Sequence, residues 1–104
     1  MSLGDLGNIM KQAQQLQERL SQVQETVAQR TVEAAAGGGM VRVVVNGKHE
    51  LLSLTLDPAV LREDVELVQD LIIAAVNEGI RNAQRMVAEE MTKATGGLKI
   101  PGLG

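Results

Sequence analysis

Seven apolar residues near the start of the chain, Leu6, Ile9, Ala13, Leu16, Leu20, Val23 and Val27, follow one another at alternating steps of three and four. That unbroken heptad seam is the signature of a helix packed along its length against another long helix. The spacing predicts a first helix from about Asp5 to Arg30. About 25 helical residues make a rod of roughly 37 Å. A chain of 104 residues is the size of one domain, with a single core that can hardly bury such a seam throughout. Part of the seam should therefore project from the core or pair with another copy. Leu6, Ile9, Ala13, Leu16, Leu20 and Val23 are accordingly candidate dimerisation residues. Seven glutamines (12, 14, 15, 17, 22, 24 and 29) occupy much of the remaining helix surface.

The periodicity changes after Arg30. Thr31–Ala36 reads as a short strand, and Gly37-Gly38-Gly39 can supply the positive φ angles of a turn. Met40–Val45 is the strongest strand signal, rich in β-branched side chains. Asn46-Gly47 reads as a two-residue type I′ hairpin turn. That turn would pair Val45 with Lys48, Val43 with Glu50 and Val41 with Leu52. In the returning strand Lys48–Leu56, Leu52, Leu54 and Leu56 alternate with Ser53 and Thr55, which predicts one buried and one wet face. Asp57-Pro58 ends the sheet, and Pro58–Leu61 should form a helical turn. Glu63 or Asp64 then caps a second long helix over about Val65 to Ala94. Gly79 inside this helix costs about 1 kcal/mol relative to Ala, so a close approach is expected there. Gly96-Gly97 should stop the helix, and residues from about 95 to 104 should form a mobile tail. The whole is a single α+β domain over residues 1–104, in the order α-β-β-β-α.

Composition narrows the chemistry. The chain has no Cys, one His and no aromatic residue. Disulfides, thiolate metal sites, cysteine nucleophiles and multi-histidine metal sites within one chain are thereby excluded. Stacking platforms for single-stranded nucleic acid are missing too. No apolar run approaches the roughly 20 residues needed to span a bilayer, and no signal peptide opens the chain, so a cytoplasmic location is expected. His49, next to the expected hairpin turn, has Glu50 beside it and no suitably placed nucleophile, and reads as a surface residue. No Lys-Ser/Thr pair follows the glycine triplet, so it is no phosphate cradle. The acids between 57 and 70 lack the spacing of a calcium loop. No enzymatic activity, cofactor, metal or small-molecule substrate is expected.

The formal net charge of −3 is unevenly spread. Asp57, Glu63, Asp64, Glu66 and Asp70 face only Arg62, placing −4 where the second helix begins and where the helix dipole favours acids. Elsewhere local faces decide. Arg81, Arg85 and Lys93 are read as lying along one side of the second helix, away from its apolar stripe. Such residues could meet phosphates, or form Glu78–Arg81 and Arg85–Glu89 pairs on a solvated face. Lys11 and Arg19 on the first helix carry the same two readings. The glutamine amides around them can donate to phosphate oxygens.

Several segments together identify a family. They are Gly7-Asn8-Ile9-Met10-Lys11-Gln12-Ala13-Gln14, the block Gly37 to Val43, Asn46-Gly47, Leu56-Asp57-Pro58 and the run Glu63 to Ile72. Asn77, Thr95-Gly96-Gly97-Leu98 and Pro101-Gly102 complete the set. In this order, over almost the whole chain, the sequence resembles the YbaB/EbfC family of bacterial nucleoid-associated proteins. The resemblance implies a tweezer-like homodimer with protruding helices that binds duplex DNA, with roles in nucleoid organisation and gene regulation. It carries over Lys11 as a DNA-contact position. Arg19, Arg81, Arg85 and Lys93 are added from their placement on the helices. The expected function is therefore non-enzymatic binding of double-stranded DNA by a cytoplasmic, nucleoid-associated homodimer. The alternative is an adaptor whose long helices dock a protein partner. With a sequence pI of about 5.1, DNA affinity should be modest and strongly salt-dependent.

Overall fold

Ser2 starts the first helix. Its hydroxyl accepts from the Asp5 backbone N–H (3.3 Å), and its own N–H donates to the Asp5 carboxylate (3.4 Å). These reciprocal bonds satisfy donors that a helix start leaves open. The computed structural model describes residues 2–96, and helix α1 runs over Leu3–Gln29. Arg30 turns the chain to extended backbone, and strand β1, Thr31–Ala36, follows directly. All three glycines of Gly37–Gly39 have positive φ (64°, 68° and 97°). A Cβ would be strained at each, so this turn is written into the residue type. Strand β2 is Val41–Asn46, strand β3 is Leu51–Leu56, and a 3-10 turn covers Pro58–Arg62. Helix α2 occupies Val65–Ala94, the bounds its periodicity predicts. The observed order is α-β-β-β-α, as expected. The anticipated tail lies almost wholly outside the described residues.

The sheet is antiparallel in the order β1-β2-β3. Val32, Ala34 and Ala36 pair with Val45, Val43 and Val41, so these six side chains share one face. Helix α2 lies across that face over β1 and β2. Beneath it Val41, Val43 and Val45 are completely or almost completely buried, with Val60, Ala75 and Ala83. Gly79 makes this close seat possible. A Cβ there would stand 2.8 and 3.0 Å from methyl groups of Val45 and Val43. The side chain of Asn82 fixes the helix to the sheet by donating to the Glu33 carbonyl (3.1 Å).

Two expectations for the β2–β3 hairpin are corrected. The loop contains Gly47–Glu50 rather than two residues, and the observed partners are Val45 with Leu51, Val43 with Leu54 and Val41 with Leu56. Leu52 is the extra residue of a bulge. Asn46 sets this geometry. Its carboxamide oxygen accepts from the N–H groups of Lys48 (2.9 Å) and Glu50 (3.0 Å), while its NH2 donates to the Glu50 carboxylate (2.9 Å). One side chain thus organises a longer loop than the dipeptide signal specifies. His49 sits in this loop rather than on a strand, with φ 63°. Gly47 does not have the positive φ that a type I′ turn requires. It is needed because its Cβ would fall 2.0 Å from the Val27 carbonyl oxygen at the end of α1.

The second correction concerns burial. Leu51, Leu54 and Leu56 share the face of the buried valines, yet every residue of β3 is exposed. The physical reason is coverage. Helix α2 spans β1 and β2 and leaves the third strand largely open.

Candidate nucleic-acid interface

Helix α1 divides into two parts. Near its end Val27 is buried, and Leu20, Val23 and Ala28 are half-buried. This part packs against α2, and the guanidinium of Arg30 pairs with the Glu90 carboxylate. All residues from Leu3 to Arg19 are exposed. These 17 residues form an arm roughly 25 Å long. The seam continues along it uncovered, with Leu6, Ile9 and Leu16 each about half exposed (46, 49 and 50%). Of the candidate dimerisation residues, Leu6, Ile9, Ala13 and Leu16 are therefore open, and Leu20 and Val23 are partly occupied within the chain.

The candidate DNA-contact residues fall into two environments. Lys11 and Arg19 stand on the arm and form no salt bridge among the described residues. At about 100° per residue, Lys11 lies opposite the apolar seam and Arg19 about 80° round from it. Arg81 is engaged by Glu78 through Nε (3.3 Å) and Nη2 (2.8 Å), so a phosphate would have to compete with a carboxylate. Arg85 meets the Asn82 carboxamide oxygen at 3.5 Å rather than Glu89. Lys93 reaches Glu90 at 3.5 Å, which brings it toward Arg30 at the α1–α2 contact. Arg81 and Arg85 therefore share a side of α2, and Lys93, about 120° round from Arg81, does not join them.

Electrostatics at the α1–α2 contact follow from this geometry. The hydrogen bond from Arg30 holds the Glu90 carboxyl below its ordinary range, helped by the charges of Arg30 and Lys93. Sequence reasoning does not find this junction. Arg30 and Glu90 are 60 positions apart, and nothing local marks them as partners. Nor does it single out Arg42 and Lys48, two exposed cations with no salt bridge among the described residues. Among the described residues, no group of three or more His, Cys, Asp or Glu side chains could hold a metal ion. No described helix is long and apolar enough to cross a membrane.

Comparison with known proteins adds to this geometry. Residues 2–98 match the model of the YbaB/EbfC DNA-binding family. A nucleoid-associated protein of Thermoanaerobacter sp. (strain X514) is 54% identical over 100 residues, covering 95% of this chain and 90% of that one. Another, from Syntrophobacter fumaroxidans, is 56% identical over 97 residues, covering 92% and 88%. Among solved structures, an uncharacterized protein of Helicobacter pylori superposes with a TM-score of 0.63 at 29% identity. That superposition covers 82% of this chain and 87% of the other.

Proposed function

Because the chain belongs to the YbaB/EbfC DNA-binding family, we propose that it is a non-enzymatic, nucleoid-associated protein that binds double-stranded DNA. It acts as a homodimer through its long helices, in nucleoid organisation and gene regulation. The observation that carries this reading is the exposed arm Leu3–Arg19, with Lys11 and Arg19 unpaired among the described residues and glutamine amides around them. A cation already matched to a carboxylate gives little on meeting a phosphate, whereas an unpaired one releases counterions from the DNA. Contact of this kind is with the backbone, and positions the protein without reading sequence. It suits a chain without aromatic stacking groups. Arg81, Arg85 and Lys93 are secondary contacts in this reading, because Glu78 and Glu90 compete for two of them.

The test is fluorescence anisotropy with a labelled duplex of about 30 base pairs across a salt series. Log affinity should fall linearly with log salt, and the slope divided by about 0.9 counts the phosphates engaged. The double substitution Lys11→Gln and Arg19→Gln should flatten the slope by about one for each phosphate no longer engaged, up to about four in a dimer. Absence of binding at low salt overturns the DNA reading. The exposed apolar side of the same arm favours the second reading, an adaptor that docks a protein partner. Replacing Arg81 and Arg85 by Glu separates the two. DNA binding weakens with the dimer intact if the protein acts on DNA, while a partner seated on the apolar seam is retained.

A further inference from the structure

The open apolar seam of the arm begins where helix α2 ends. The Asn82 side chain donates to the Glu33 carbonyl, and Arg30, just before β1, meets Glu90. Moving back along β1 is therefore moving forward along α2, and past Glu90 the helix leaves the sheet behind. The β2–β3 loop reaches it as far as Met91, through His49. Ala94 and Thr95 are still half-buried, and α1 is the element left to cover them. On α1 the covered residues run backward from Ala28 and Val27 through Val23 to Leu20. The two helix ends thus lie side by side in opposite chain senses, and the arm continues beyond the last turn of α2.

Gly96, with φ 67°, closes that turn. It stands roughly 9 Å past the level of Glu90, near the Val23 turn of α1. Residues 97–104 follow it and hold three apolar side chains, Leu98, Ile100 and Leu103, and a single charge, Lys99. Pro101 favours extended backbone at itself and at Ile100. At about 3.3 Å per residue, a segment laid along the arm brings Leu98, Ile100 and Leu103 roughly 7, 13 and 23 Å past Gly96. On the helical rise those points are abreast of Leu20, of the turn from Leu16 to Ala13, and of Ile9. Ala13 is the one small residue of the seam, and leaves a notch between Ile9 and Leu16.

We propose that residues 97–104 of the same chain dock on the arm, with Leu98, Ile100 and Leu103 on the seam from Leu20 to Ile9. The inference goes beyond DNA binding and does not rest on it, since Lys11 lies opposite the seam and stays open. Three observations favour this occupant over a second copy or a foreign protein. The segment starts beside the seam and its length matches, so the tether alone holds it there at high effective concentration. The positions flanking the seam, Met10, Gln12, Gln17, Arg19, Gln24 and Thr26, carry one charge. Two helices side by side would lack the paired charges that fix a coiled-coil partner. Glutamine amides there suit an extended segment instead, because they can both donate to and accept from its unpaired backbone groups. Finally, the open seam is continuous with the part of α1 that α2 already covers, so the docked segment prolongs an existing contact.

Paramagnetic labelling of the full chain tests this. The chain has no Cys, so Gly102→Cys provides a single nitroxide site. The amides of Ile9, Met10 and Ala13 should broaden, and adding Leu98→Asp with Ile100→Asp should restore them. No broadening there, or broadening that survives the two aspartates, overturns the proposal. So does equally strong broadening when isotope-enriched chains without label are mixed with non-enriched labelled ones, which places the segment on a second copy. Amide exchange reads the same cover without a label. Leu98→Asp with Ile100→Asp should quicken exchange between Ile9 and Leu20 by about tenfold and leave Ala75–Met86 unchanged. The cover is partial, so the arm exchanges faster than α2 on the sheet in either chain. Identical arm exchange in the two chains overturns the docking.

Discussion

At the scale of single residues, two small side chains and one ion pair decide more than their size suggests. Gly79 seats α2 on the sheet, and Gly47 admits the end of α1. With the Val27 carbonyl oxygen 2.0 Å from where a Cβ of residue 47 would stand, the obstacle is backbone and cannot swing aside. Gly47→Ala should therefore cost at least as much as an overpacked core, about 3 kcal/mol, read as a lower urea midpoint. A smaller loss would mean that α1 can tilt away from the loop. Glu90 makes a prediction in pH. Its carboxyl titrates below the ordinary value of 4.5 when folded, chiefly because Arg30 donates to it. A depressed carboxylate contributes stability at pH above its unfolded pKa and loses it as pH falls through the folded one. Unfolding monitored from about pH 6 to about pH 3 should show a loss below about pH 4.5 that shrinks in Arg30→Ala. Because Glu90 is only half-buried and its partner Arg30 is exposed, solvent screening keeps the effect small. An unchanged acid limb in the variant would remove Glu90 as its source.

Elements differ in how far their own residues specify them. Helix α2 has its bounds, its start after Asp64 and the purpose of Gly79 written in its sequence, because helical periodicity and steric fit are short-range. The glycine triplet is similar, since positive φ at three successive positions calls for one residue type. The β2–β3 hairpin was only half legible. Its existence followed from alternation and a turn signal, but its register depended on the Asn46 side chain bridging to Lys48 and Glu50. A shift in pairing reassigns faces, so the leucine pattern misled as well. Helix α1 was legible as a helix but not in what it touches. Leu3–Arg19 has no tertiary cover, and helical segments of that length are marginal alone in water. Amide exchange in the arm should run orders of magnitude faster than at Ala75–Met86, where α2 lies on the sheet. Equal protection in a solution of monomers would contradict an uncovered arm.

As a whole molecule the protein is a rod of 74 × 20 × 16 Å, with a Cα radius of gyration of 20.2 Å. A compact chain of this length would have about 13 Å. The arm leaves from the α1–α2 contact, where Arg30 meets Glu90 near the end of α2. The acidic start of α2 lies about 25 residues earlier on that helix, so in the proposed reading cations on the arm meet a polyanion while most of the acid surplus stays at a distance. This separation reconciles a net charge of −3 with a DNA-binding family. The sequence by itself determined the elements, their order, the glycine positions and the candidacy of Lys11 and Arg19. Each of these rests on backbone sterics, periodicity or residue chemistry within a few positions. The tertiary structure decided which half of the heptad seam is covered, which strand is left open, and which cations are already neutralised. Arg30 finds Glu90, and β3 misses α2, only because segments tens of residues apart are brought to particular distances. Local chemistry carries no measure of those distances until the chain has packed.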